Sequence, residues 1–330
     1  MTSLLHPRMR DAAILLTVLL GTTPGRAAEI DPYVPLDTET VVNINVRQIL
    51  DSPLIKKNAL EAAQELLRGN DQVQDVLKDL GFDPFKDLDR VILATPGGTD
   101  KDRGLIIVHG RFDLAKFKAK AEQVAKDQSE NLKIHKVLAG KHIIYEVNVP
   151  DMDDPLFVAL ASRDTLLASP GKDYVVDALK KIGKTDKLAL KNKDFQALLE
   201  KVDDRQSLSV AAVKNPAVKD AVGSLPGDVK DMLDKIQAIG GGLTLSDEIK
   251  LELVVTTKNA DEAKELRDSA NAGLTLITAV LGGLNKDAKP QIEFVLEVVK
   301  SLRISNKGQT VVVKGRISSD LIEEALKKSK

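Results

Sequence analysis

Val108-His109-Gly110-Arg111-Phe112 and Val313-Lys314-Gly315-Arg316-Ile317 share one order of residue types: apolar, polar, glycine, arginine, apolar. Each closes a largely apolar run, 105–111 and 311–317, that reads as a strand. Each is followed by a helix opener. Asp113 precedes a helix running to about Lys126, with Leu114, Phe117, Ala121 and Val124 at helical spacing; Ser318-Ser319-Asp320 precedes another running to about Lys328. Short acidic or hydroxyl side chains there accept from the first free N–H groups of a helix. A looser third copy passes from 251–257 to Asn259, with Glu262 three residues on as in a capping box. Strand, cap and helix recurring in one order point to an internal repeat.

Outward from these junctions the chain reads as hairpins with helices between them. Residues 133–138 and 141–149 flank Ala139-Gly140, 157–161 and 165–168 flank Ser162-Arg163-Asp164, and 240–245 and 248–256 flank Ser246-Asp247. Each is a strand pair around a short turn. Upstream lie a strand at 41–46, a helix opened by Ser52-Pro53 that runs to about Arg68, and a helix opened by Asn70 or Asp71 and stopped by Gly81. Asp83-Pro84 starts one further turn ahead of a strand at 91–94. Helices at 173–182 and 194–202 and a strand at 208–213 follow. The rather apolar run 270–284, interrupted by Asn271, Thr275 and Thr278, reads as a buried core helix, being too short for a bilayer span. Gly240-Gly241-Gly242 opens a strand and marks a bulge or a close backbone approach.

The fold class that follows is α+β, with largely antiparallel sheets covered on one face by helices and two related repeats. The expected division is 1–27 as a signal peptide, 28–190 as a first α+β repeat and 191–330 as a second. Arg8 and Arg10, then nine mostly aliphatic residues at 12–20, then Pro24, Gly25, Ala27 and Ala28 give the basic, apolar and small-residue order of a secretory signal. Nine helical residues rise only about 14 Å against roughly 30 Å of bilayer hydrocarbon, so the run is cleaved and does not anchor the chain. Cleavage after Ala27 puts Gly25 and Ala27 at the two small-residue positions, whereas cleavage after Ala28 would put Arg26 at one of them.

Composition narrows the function classes. Loss of Arg8, Arg10, Arg26 and Asp11 with the leader leaves 45 of 48 bases and 48 of 49 acids. That near-neutral balance gives no electrostatic case for nucleic acid or anionic membranes. With no cysteine, disulfides, thiol catalysis and thiolate-bound metals are excluded. No tryptophan and ten Phe and Tyr together leave few rings to stack on sugars or single-stranded bases.

The order of elements resembles exported bacterial α+β proteins grouped as domains of unknown function. Residues 41–46, Gly81-Phe82-Asp83-Pro84 with Asp87-Leu88-Asp89-Arg90-Val91, and Gly110-Arg111-Phe112-Asp113 carry the resemblance, over about 40–180 and more loosely beyond. It implies export and a repeated sheet-plus-helix unit, and no activity.

Candidate chemistry is sparse. A two-residue Ala139-Gly140 turn would set His135, His142 and Glu146 on one face, a conceivable His/His/Glu metal site. A three-residue turn would part the histidines. His109, on another strand, has no fixed relation to them. Asp151, Asp153 and Asp154 precede Pro155 without the glycine and later glutamate of a calcium loop. No Gly-x-Ser-x-Gly elbow and no phosphate-loop spacing occurs, and no cofactor is implied. Arg111 and Arg316 sit at strand ends ahead of helix caps, suited to an ion pair with a sheet-end carboxylate or to a duplicated anion or partner site. The expectation is an exported (periplasmic or secreted) protein that binds or scaffolds, with a protein as possible partner. A hydrolase with a dispersed active site and an apolar-ligand carrier are the alternatives.

Overall fold

Residues 30–97, 103–127, 132–136, 142–148, 154–183, 190–215, 233–284 and 290–328 are described by the structure, a computed structural model. β1 (Thr38–Ile44) is rich in β-branched residues and pairs on both sides, with β2 (Leu88–Pro96) and with β8 (Leu208–Val213). The other strands are β3 (Leu105–Gly110), β4 (Leu132–Lys136), β5 (Ile143–Val147), β6 (Leu156–Ser162), β7 (Thr165–Ser169), β9 (Ile236–Leu245), β10 (Ile249–Thr257), β11 (Arg303–Lys307) and β12 (Thr310–Ile317). All join one sheet of twelve strands, ordered β11-β12-β10-β9-β8-β1-β2-β3-β7-β6-β5-β4, with every neighbouring pair antiparallel. The α+β class stands, and the sheet is continuous.

Outward from the β1–β8 seam, β1-β2-β3-β7-β6 and β8-β9-β10-β12-β11 run in corresponding order. In this scheme β3 answers to β10, and β12 answers to β7. The Gly-Arg junctions after Val108 and Val313 therefore end strands in different places, and the looser copy at 251–262 is the one that occupies the place of β3. Local residue types at a strand end report the strand-to-helix turn, which several positions of such a fold share.

Caps and stops fall where the side chains dictate. α1 (Val46–Asp51) follows β1 directly, capped by Asn45 Oδ1 accepting from Gln48 N–H. The single helix expected over 53–68 is instead α2 (Pro53–Asn58) and α3 (Leu60–Arg68), interrupted at Ala59, with the Asn58 amide turned back onto the Leu54 carbonyl at 2.9 Å. Ser52 does not cap; its hydroxyl donates to the Ser246 carbonyl across the molecule at 2.8 Å. α4 (Asp71–Leu80) has the expected Asn70 cap and ends at left-handed Gly81, and α5 (Pro84–Asp87) is the single turn opened by Asp83. α6 (Leu114–Asp127), α7 (Lys172–Leu179), α8 (Lys193–Leu199), α9 (Ala260–Leu284), α10 (Pro290–Ser301) and α11 (Ser319–Lys328) complete the elements used below. Asn259 Oδ1 accepts from Glu262 N–H to cap α9, and the Glu262 carboxylate reaches back to accept from Lys258 N–H, one residue before the cap.

Helical cover is divided between the faces. Ile92, Ala94, Leu105, Ile107, Leu167, Ala211 and Val213 point one way and bury against Val175, Ala178 and Leu179 of α7 and Phe195, Leu198 and Leu199 of α8. A strap at 30–37 crosses the same core, with Val34 buried in it. Ala238 belongs to this face, whereas its neighbour Ile239 packs with Val255 and Val311 against Ala263 and Leu266 of α9. Because strand side chains alternate, α9 lies on the opposite face at the β10–β12–β11 end. The apolar run of α9 is not the buried helix its composition implies: Leu276, Ile277 and Val280 are 66%, 45% and 55% exposed. Its N-terminal turns supply the buried contacts, and the rest pairs with α10 as a helical hairpin. Among the described residues, no helix is long and apolar enough to cross a membrane.

The triple glycine is a close approach. Gly241 has φ of 141°, and a Cβ there would stand 2.0 Å from the Glu252 carbonyl oxygen; a Cβ on Gly240 would meet Val202 of the segment after α8. Gly241→Ala is expected to destabilise by roughly 2–4 kcal/mol through backbone clash and strain. Gly273→Ala, mid-helix in α9 with open space around it, should stabilise by about 0.5–1 kcal/mol. Urea unfolding midpoints of the two variants check both; equal midpoints would refute the close-approach account.

Candidate functional site

Polar side chains break the apolar face at one end of the sheet. Ser209 of β8, Asn43 of β1, Arg90 of β2, His109 of β3 and Thr165 of β7 stand on five adjacent strands and point toward the strap. Asn43 donates to Ser209 Oγ at 3.3 Å and to the Asp204 carbonyl at 3.1 Å, while Arg90 Nε donates to Asn43 Oδ1. Arg90 Nη2 also lies 3.9 Å from the Asp204 carboxylate. Farther along, Asp31 Oδ2 is 2.6 Å from His109 Nε2, and Thr165 Oγ1 is 3.3 Å from His109 Nδ1. A carboxylate only accepts, so Nε2 carries a proton toward Asp31, and the Thr165 hydroxyl also donates to Asp164 Oδ1 at 3.3 Å. Asp164, beside Thr165, is held below the usual carboxylate range, chiefly by the Ser162 hydroxyl.

Carboxylate, imidazole and hydroxyl in line have the connectivity of an activated nucleophile. Their surroundings argue for a stitch instead. Thr165 is 4% exposed. The cavity beside the row, bounded by Asp31, Asn43, Arg90, Asp204 and Ser209 among others, measures about 40 Å³. That is room for a water or two and not for a substrate. The row ties down the strap: Asp31 Oδ1 accepts from Tyr33 N–H, and Lys181 Nζ donates to the Val34 carbonyl at 2.6 Å.

The residues singled out from sequence are scattered. His135 opposes Ile144 and Lys133 opposes Glu146, so by backbone register His135 and Glu146 share a strand face, and His142 lies just before β5. Fully buried Ile144 occupies the middle of that face. The His135 side chain, the Ala139-Gly140 turn, Asp151, Asp153 and the leader with Ala27 and Ala28 lie outside the described residues. Among the described residues, no group of three or more His, Asp or Glu is placed to hold a metal ion. Arg111 lies 3.2 Å from Asp87 and Arg316 lies 3.7 Å from Glu248, both carboxylates next to the start of the neighbouring strand. At 70% and 72% exposure these pairs are solvent-screened and contribute little.

A site roomier than the cavity under the strap is one that no sequence motif marks. Between β1 and β2, helices α1 to α5 frame a cleft of about 570 Å³, within the size range of small-molecule sites. Leu60, Gln64 and Leu67 of α3 and Gln74 and Leu77 of α4 line it at spacings of three and four, which sets one stripe of each helix toward the cleft. Leu50, Phe82 and Phe85 add to the floor. Every one of these apolar side chains is half-buried, and α3 has no buried residue. Amphipathic stripes that elsewhere would form core here face an open space. The walls are fixed. Arg47 donates to the carbonyls of Phe85, Lys86 and Leu88, Gln74 Nε2 donates to the Leu67 carbonyl, and Phe82 stacks on Phe112 with centroids 5.4 Å apart. Of the cations lining the cleft, Lys56 pairs with Asp51, Lys86 with Asp83 and Arg47 with Asp89. The Lys86 ammonium holds the Asp83 carboxyl below its usual range. Arg68 and Lys78 make no ion pair with any described residue.

Comparison with known protein families and with curated proteins finds no match. Among solved structures, crystal form I of TP0453 is similar, with a TM-score of 0.44 and 13% identity over 92% of this chain and 98% of that one. Crystal form IV of TP0453 gives 0.47 and 12% over 91% and 96%.

Burial first, then the Asp31 and Asp164 carboxylates, raise the Tyr33 phenol above its ordinary value, with the Thr165 hydrogen bond partly opposing. The fold therefore favours the neutral phenol. Its contribution is intact below the unfolded value of about 10 and is lost as pH rises through the folded value. Melting temperature should fall between about pH 9 and about pH 11, and less steeply in Tyr33→Phe. Lys181, lowered chiefly by burial, acts with opposite sign and is common to both proteins. Identical slopes would remove Tyr33 from the account of the strap.

Proposed function

We propose that the chain is an exported protein that acts by binding and not by catalysis, with the cleft between α1 and α5 as its ligand site. The leader pattern at 8–28 supports export. The observation that carries the binding role is the combination of a cleft of about 570 Å³ with apolar stripes left half-exposed on α3 and α4. Removing apolar surface from water contributes roughly 25 cal/mol per Å², so such stripes are a standing drive to take up an apolar group. The polar row under the strap supports no competing reading as a catalytic centre, because its hydroxyl is buried and the space beside it is water-sized. Among the expectations from sequence, this favours the apolar-ligand carrier within the binding class.

The neutral dye N-phenyl-1-naphthylamine, which brightens in apolar surroundings, should bind saturably at one site. Leu67→Asp, a change at a half-buried cleft position, should weaken it at least tenfold while melting temperature stays within a few degrees. Dye affinity unchanged by Leu67→Asp, or no saturable binding in the parent protein, would dispose of the cleft as the site.

A further inference from the structure

We infer that the ligand of the α1–α5 cleft is a single-chain amphiphile with an anionic head, its tail on Leu60, Leu67 and Leu77 and its head at Arg68 and Lys78. This rests on the binding role proposed above and adds the ligand class. Five cations and two acids line the cleft. Three of the cations are matched, two by lining acids and Arg47 by Asp89 just outside. That leaves Arg68, in the last turn of α3, and Lys78, in the last turn of α4, without an ion pair to any described residue, in a cleft that the leucines also line. The acids of the same helices, Glu61, Glu65, Asp71, Asp75 and Asp79, are exposed and do not line the cleft, and Asp79 is engaged by Lys120 of α6. Arg68 directly follows Leu67 and Lys78 directly follows Leu77, so on each helix the cation adjoins the apolar stripe. A neutral apolar ligand would leave these cations without a use. A polyanion without a tail would leave the leucines without one. Carboxylate and phosphate heads both pair with guanidinium and ammonium groups.

The test is calorimetric titration of the full chain with octanoate, decanoate, decyl phosphate and decanol, each below its micelle concentration. Decanoate or decyl phosphate should bind at one site at least tenfold more tightly than decanol, the tighter of the two naming the head group. Each methylene from octanoate to decanoate should add about fourfold in affinity. Arg68→Gln with Lys78→Gln should bring the anions down to the level of decanol and leave decanol itself unchanged. Decanol binding as tightly as decanoate would overturn the anionic head while the binding role survives. So would anion affinity insensitive to the double substitution. Affinity flat with chain length would overturn the tail placement. If neither the naphthylamine dye nor any amphiphile binds, the ligand class and the binding role fall together.

Discussion

Asn43, 3% exposed at the seam between β1 and β8, has its carboxamide fully engaged: it donates to Ser209 and to the Asp204 carbonyl and accepts from Arg90. A buried amide left without partners costs about 1–3 kcal/mol, and strand side chains alternate faces. A one-residue slip of β1 against β8 would therefore turn Asn43 out of this network and bring Val42 into it. The pair Asn43↔Ser209 thus fixes the register of the one ladder that joins five strands on one side to seven on the other. Without it the molecule would present two sheets, each with a long unpaired edge.

Around that seam the two faces serve different ends. The face under the strap, α7 and α8 holds the main core, and the polar row closes its end. The opposite face carries α9 and α10 at one flank. The connection from β1 to β2 is another kind of structure: five short helices held together by carbonyl contacts to Arg47, by aromatic stacking and by helix caps, with little buried apolar surface of their own. The frame of the protein is the sheet, and the proposed ligand site is a loop elaborated into helices upon it. This is the usual division of labour between scaffold and binding surface.

Much of the fold was legible because its signals are local. Asn70 and Gly81 bounded α4, Asp83-Pro84 opened α5, Asn259 and Glu262 marked the start of α9, and Val42-Asn43-Ile44 alternated in β1. Failures came where a distant partner decided the outcome. Ser52 was drawn to Ser246 and away from its helix, and the apolar run of α9 was exposed because periodicity shows which residues share a stripe and not whether anything covers it. The polar row joins residues from Asp31 to Ser209, so no window of sequence contains it. The cleft had a visible sign, the stripes of α3 and α4 in a stretch poor in other core contacts. What was hidden was that the sheet would leave them uncovered.

The seam also carries the largest entropic demand of the sheet. Hairpins such as β6–β7 and β9–β10 close over a few residues, whereas Asn43 and Ser209 are 166 residues apart. Closing a flexible loop of that length costs roughly 4–5 kcal/mol of chain entropy before any contact rewards it. The helices between β1 and β2 are contiguous in the chain and can gather around Arg47 while the second half is still being synthesised. Among the ladders of the sheet, β1–β8 is the one whose closure costs the chain most entropy.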